Sequence, residues 1–170
     1  VFLADTTVHE YPTSKQMAEI AISAARVVRL FGFDPKVAFV SHSTFGQPLT
    51  SRTKHIKNAV NILKEKNVDF KFDGEMQPDV ALDEKYRDLY PFSEIVGNAN
   101  ILIMPGRHSA AISFKLMKSL SAVKVVGPLL IGLGQPIEIA PLRSSTSEIL
   151  NLASVAAYSA GVINYGKKTN

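Results

Sequence analysis

The chain has 170 residues, 46% of them hydrophobic, enough for the core of one ordinary domain, which excludes a disordered segment. Its 19 basic and 15 acidic residues are interspersed and leave a net charge of +4, too mild for a nucleic-acid surface to be the default reading, and the Lys167-Lys168 pair reads as a solvated terminus. With no cysteine there is no disulfide framework, thiolate nucleophile or Cys-based zinc site, which suits a cytoplasmic protein, and no apolar run reaches membrane-spanning length.

Val1-Phe2-Leu3-Ala4 reads as strand from the first residue, with no initiator Met, as expected of a piece of something longer. A helix is predicted after Pro12. Thr13 or Ser14 can cap it, Met17, Ile20, Ala21, Ala24, Val27 and Val28 recur at helical spacing, and Phe31-Gly32 ends it. Lys36–Val40 is a short apolar strand, 41–50 a polar turn with Gly46 and Pro48, and the next helix buries Ile56, Ala59, Val60 and Leu63.

The order then repeats. Val68–Phe72 reads as a strand broken by Asp73-Gly74, and 78–90 as mostly helical. Ile101–Met104 is a strand, and Pro105-Gly106 turns into a helix carrying Ile112, Leu116 and Leu120. Val123–Val126 and Ile137–Ile139 read as further short strands, and a last helix spans about 147–160. Strands alternating with amphipathic helices predict a three-layer α/β/α domain around a mostly parallel sheet. Residues 1–126 form one continuous unit on this reading, and 127–170 pack elsewhere.

In open α/β sheets ligands bind beyond the carboxyl ends of the strands, so three strand-to-helix loops carry the candidate chemistry. In the first, Ser41, Ser43, Thr44 and Gly46 precede a helix. Free N–H groups and the helix dipole favour an anion there, though a capped turn without a ligand accounts for the same residues. In the second, Arg107 and His108 stand at a helix start, as an anion-holding pair or a solvated one. In the third, Arg143 precedes Ser144-Ser145-Thr146-Ser147-Glu148: an anion-binding Arg beside a proton-moving acid, or more simply a capped helix with an acid in its first turn. His9, His42, His55 and His108 lack metal-ligand spacing. No GxGxxG, P-loop or GxSxG is present.

Five blocks taken together resemble the phosphotransacetylase (phosphate acetyl/butyryltransferase) family: 2–8, Pro12-Thr13, Asp73-Gly74-Glu75-Met76-Gln77-Pro78-Asp79, 98–103, and 127–136. Leu3-Ala4-Asp5-Thr6-Thr7-Val8 and Leu89-Tyr90-Pro91-Phe92 are more similar to the domain fused to the C-terminus of large malic enzymes. The resemblance implies a fragment of the phosphotransacetylase/isocitrate-dehydrogenase-like fold, with 1–126 as its second domain and 127–170 returning to an incomplete first. It implies acetyl-CoA or CoA as ligand and association as a homodimer or higher homo-oligomer, with no nucleic acid or membrane as partner. It also implies an upstream malic-enzyme half that alone holds NAD(P) and a divalent metal, Mg or Mn, and converts malate to pyruvate and carbon dioxide.

Transacetylases of the family make acetyl phosphate and CoA from acetyl-CoA and phosphate. They use a Ser-Arg pair and a following acid, thought to take the thiol proton, in a cleft between two domains. Arg143 matches the Arg. Glu148 matches the acid only with one residue deleted between them, and is Glu instead of Asp. Leu142 stands in place of the Ser, Gln135 replaces a usual Lys or Arg, and Ala111 stands where many members have Asn. The resemblance thus names Arg143 and Glu148 as candidate catalytic residues, and Arg143, Glu148, Ser41, Ser43, Thr44 and His108 as candidate ligand contacts. The losses around them imply a regulatory binding module, with part of an active phosphate acetyl/butyryltransferase as the alternative.

Overall fold

The structure, a computed structural model, describes residues 1–120 and 125–168. Its elements in chain order are β1 (Phe2–Ala4), α1 (Ser14–Leu30), β2 (Lys36–Val40), α2 (Ser51–Glu65), β3 (Lys71–Met76), α3 (Pro78–Leu82), α4 (Glu84–Arg87), β4 (Ile101–Ile103), α5 (Arg107–Leu120) and α6 (Thr146–Lys168). The chain divides into two compact units, Val1–Leu116 and Met117–Asn170, so α5 runs from the first into the second, and the expected division after 126 falls inside the second.

In the first unit four parallel strands lie in the order β1-β4-β2-β3. Period-two alternation divides their side chains between two faces. On one face Val37, Phe39, Ile101 and Ile103, with Phe2 and Ala4, pack against Met17, Ala21, Ala24 and Val28 of α1 and Ile56, Ala59, Val60 and Leu63 of α2. On the other, Ala38, Val40, Leu102 and Met104, with Leu3, meet Val80 and Ala81 of α3, Ile95, Ala99, and Ala110 of α5. Each large side chain fully buried this way contributes about 1.5–3 kcal/mol. Both sheet faces are covered, as the alternating pattern requires.

Local chemistry starts α1 and α2. Thr13 caps α1 and forms a reciprocal capping box with Gln16; Thr50 and Thr53 do the same for α2. α6 extends further than expected, from Thr146 to Lys168.

Three expected features differ. β3 runs through Asp73-Gly74 to Met76 instead of stopping before them. Asp73 does not start a turn, because its carboxylate accepts hydrogen bonds from Gly74 N and Glu94 N. Gly74, at φ 146°, lets β3 approach β2 closely where the register shifts between Phe39 and Val40; a Cβ there would lie 2.7 Å from the Phe39 carbonyl oxygen. Ile137–Ile139 is not a strand: both isoleucines are exposed, and the Glu138 carboxylate accepts from Leu130 N across the loop. The helix with Ile112, Leu116 and Leu120 forms, but those side chains are exposed and Ala110 is its buried residue. The strand expected at Val123–Val126 falls largely on residues outside the described ones.

Candidate functional site

The sheet order creates a topological switch. α1 and α2, which follow β1 and β2, pack on one face, while α5, which follows β4, packs on the other. Because β4 lies between β1 and β2, the loops leaving neighbouring strands diverge on both sides of it. Crevices of this kind, at the carboxyl ends of strands, are where open α/β sheets bind ligands.

The loop after β2 is an anion cradle filled from within. Ser43 Oγ donates to Glu75 Oε1 at 3.1 Å, and Gly46 N donates to the same oxygen. Glu75 is 1% exposed and Ser43 fully buried. Thr44 Oγ1 accepts from Gln77 N, and Gln77 Nε2 donates to the His42 carbonyl, each at 3.1 Å. Ser41 N and Phe45 N donate to the Met76 and Glu75 carbonyls. The Glu75-Met76-Gln77 part of the third family block therefore shapes this loop. Ser41 and His42, whose Oγ and Nδ1 lie 3.4 Å apart, stand at its surface.

The loop after β1 is organised by Asp5, the first residue beyond the strand. Asp5 Oδ1 accepts from Thr7 N and Val8 N; Oδ2 accepts from His9 N at 2.8 Å and lies 2.7 Å from His9 Nδ1. Burial alone would push this carboxyl up, but the three backbone N–H groups and the His9 ring hold it below the usual carboxylate range. The next residue binds α5. The Glu10 carbonyl accepts from Arg107 N at 3.2 Å, and its carboxylate lies 3.5 Å from Arg107 Nη2. Gly106 permits this approach, since a Cβ would stand 2.7 Å from the Glu10 oxygen. Arg52 of α2 lies over the Tyr11 ring at 5.7 Å. His55 is fixed between Ser14 and the Pro12 carbonyl. His108 is exposed in the first turn of α5.

All four histidines of the chain thus sit on the carboxyl-end segments. The sequence reading named His108 as a ligand contact, considered His9 only as lacking metal-ligand spacing, and placed Asp5 and Glu75 in family blocks without giving them a role at the site. An Asp just past a strand with a His four residues later was the legible signal for Asp5 and His9. The family block marked Glu75 but not its role, because its partners are about 30 residues upstream.

The second unit holds the other candidates. Arg143 is exposed and has no side-chain partner among the described residues, and Leu142 beside it is fully exposed. Glu148 belongs to a capping box: its Oε2 accepts from Ser145 N at 2.8 Å and Ser145 Oγ at 3.0 Å, while Glu148 N donates back to Ser145 Oγ. Lys118 Nζ lies 2.7 Å from the other carboxylate oxygen. The Lys118 ammonium first, then the Ser145 N–H and hydroxyl, pull the Glu148 carboxyl down to about 2. Burial pushes the Glu138 carboxyl up, partly offset by the Leu130 N–H.

Among the described residues, no group of three or more His, Asp or Glu could hold a metal ion, and no helix is long and apolar enough to cross a membrane. The profile of the family described as "Phosphate acetyl/butaryl transferase" matches residues 1–157. An NADP-dependent malic enzyme of Rhizobium meliloti is 45% identical over 95% of this chain, which spans 21% of that relative. A phosphate acetyltransferase of Clostridium acetobutylicum is 35% identical over 94% of this chain and 49% of its own length. A crystal structure of a phosphotransacetylase from Streptococcus pyogenes superposes with a TM-score of 0.86 at 33% identity, covering 93% of this chain and 48% of the other. The chain spans about a fifth of the malic enzymes it matches, and about half of the C. acetobutylicum and S. pyogenes proteins.

Proposed function

The chain belongs to the phosphate acetyl/butaryl transferase family, and on that premise we propose that it is the phosphotransacetylase-like C-terminal domain of a malic enzyme, binding acetyl-CoA or a related acyl-CoA as a regulatory module. Its parent oxidatively decarboxylates malate to pyruvate, with NAD(P) and a divalent metal held upstream; no residue of this chain is assigned to either. Self-association of the parent through this domain is part of the proposal.

The state of Glu148 carries the choice of a binding module over a transferase. The two Glu148 oxygens are engaged inside the second unit, one by Lys118 and the other by the Ser145 N–H and hydroxyl, which together draw the carboxylate down and commit it to a helix cap and an ion pair instead of to a thiol. Leu142 removes the hydroxyl expected beside Arg143. Arg143 is exposed and without a side-chain partner among the described residues, suited to a phosphate or carbonyl oxygen. Ser41 and His108 offer surface hydrogen-bonding groups at the carboxyl ends of β2 and β4. Ser43 and Thr44 act by holding the loop in shape.

Regulation requires the ligand to distinguish two states of the parent. Calorimetry with acetyl-CoA on the full-length protein, run beside malate kinetics, tests this. Binding that shifts malate affinity by about 5- to 150-fold is the expected range for such coupling. No binding, or binding without effect on malate, sinks the reading.

The similarity to a phosphate acetyltransferase supports a second reading, part of an active acetyl-CoA:phosphate transferase. A thiol-release assay on the full-length protein separates the two. Turnover that disappears in Arg143→Ala would establish the second.

A further inference from the structure

The loop after β1 holds a polar pair that the proposed regulatory reading leaves unused. His9 Nδ1 lies 2.7 Å from Asp5 Oδ2, and the two side chains are 34% and 14% exposed. Asp5 cannot turn away, because its oxygens also accept from three successive backbone N–H groups. A carboxylate so fixed selects the Nδ1–H tautomer and orients the ring, leaving Nε2 as the nitrogen available for chemistry. Nε2 has no protein partner among the described residues. Neutral it is an acceptor; protonated it is a donor backed by the Asp5 charge.

The surroundings favour the donor role. Thr6 and Thr7 are adjacent hydroxyls. α5 brings Arg107 and His108, and α2 brings Arg52 and His55 to the same end of the sheet. The carboxylates here are Asp5, committed to the loop, and Glu10, paired with Arg107. With Arg107 and His55 already engaged, the groups left are the Thr6 and Thr7 hydroxyls, Arg52 and His108, mainly donors, at the carboxyl ends of the strands on either side of β4, where diverging loops favour a ligand.

We propose that His9, held by Asp5, is a ligand-binding residue whose protonated Nε2 donates a hydrogen bond to a phosphate oxygen of the nucleotide portion of an acyl-CoA. This rests on the acyl-CoA reading above and adds a residue and a proton to it. Binding then takes up a proton, so affinity tightens as the medium becomes more acidic.

The test is calorimetry of acetyl-CoA against the full-length protein in buffers of different ionisation heat. From about pH 8 to about pH 6, affinity is expected to rise roughly three- to tenfold with net proton uptake. His9→Gln is expected to bind more weakly at about pH 6 and to lose both proton uptake and pH dependence. Acetyl-pantetheine, which has no phosphate, is expected to bind without pH dependence. Unchanged proton uptake in His9→Gln overturns the proposal, and so does full pH dependence with acetyl-pantetheine. If acetyl-CoA does not bind at all, the regulatory reading fails, and adenosine 3′,5′-bisphosphate becomes the probe. Binding that shifts the His9 ring resonances in NMR then supports the His9 site on its own; an unmoved ring overturns it.

Discussion

The two units use apolar residues in opposite ways. In Val1–Leu116 both sheet faces are covered, and Phe39, Met17, Leu63, Ile101 and Ile103 are fully buried. In Met117–Asn170, among the described residues, Leu152 is buried while Ile137, Ile139, Leu142, Ile149 and Leu150 are about half or more exposed. Similar residue types thus bear stability in one unit and present surface in the other. Hydrophobic stabilisation follows area removed from water, not hydrophobic content.

This contrast sets a graded series of expected effects. The largest is Phe39→Ala, which removes a ring packed between β2 and the α1–α2 layer. It should cost about 3–5 kcal/mol in denaturant unfolding, and a loss near zero would mean the first unit does not carry the stability. Next comes Glu75→Ala, which strands the buried Ser43 hydroxyl and Gly46 N–H; about 2–4 kcal/mol is expected, with Glu75→Gln recovering part of it.

Asp5 supplies a smaller, pH-dependent term. Its pKa in the folded chain lies below the ordinary 3.8. Its contribution is therefore fully present above that value and is lost as pH falls through the lower folded pKa. Thermal unfolding followed below about pH 4 should show Asp5→Asn flattening the acid loss; an unaltered profile would remove Asp5 from the account. The smallest effects belong to Leu142→Ser and Leu120→Ser, at exposed positions, each within about 0.5 kcal/mol. A larger loss in the full-length protein, measured by the same unfolding assay, would show that these side chains are covered there.

Much of the fold was legible because local chemistry and burial agree. Met17, Ala21, Ala24 and Val28 face the core as their helical spacing predicts, and Thr13 caps α1 through its own Gln16. The same logic failed for α5, where helical spacing was read correctly but Ile112, Leu116 and Leu120 remain exposed. Periodicity reports a face and does not say what covers it. It failed at Asp73-Gly74, a turn signal by composition that close approach to Phe39 makes into strand. For the candidate site, the loops leaving β2 and β4 were found from pattern alone, whereas the third candidate loop follows no strand, because Ile137–Ile139 is not one. The roles within them were not, because a Ser in a polar turn reads the same whether it meets a ligand or Glu75.

The sequence by itself determined the alternation of strands and helices, the parallel sheet they require, the caps of α1 and α2, and the family blocks. These depend on spacing and on partners a few residues apart. Only the tertiary structure decided that β4 inserts between β1 and β2, that Glu75 fills the loop after β2, and that Lys118 reaches Glu148. Those outcomes depend on groups 30 or more residues apart, which the fold alone brings within hydrogen-bonding distance.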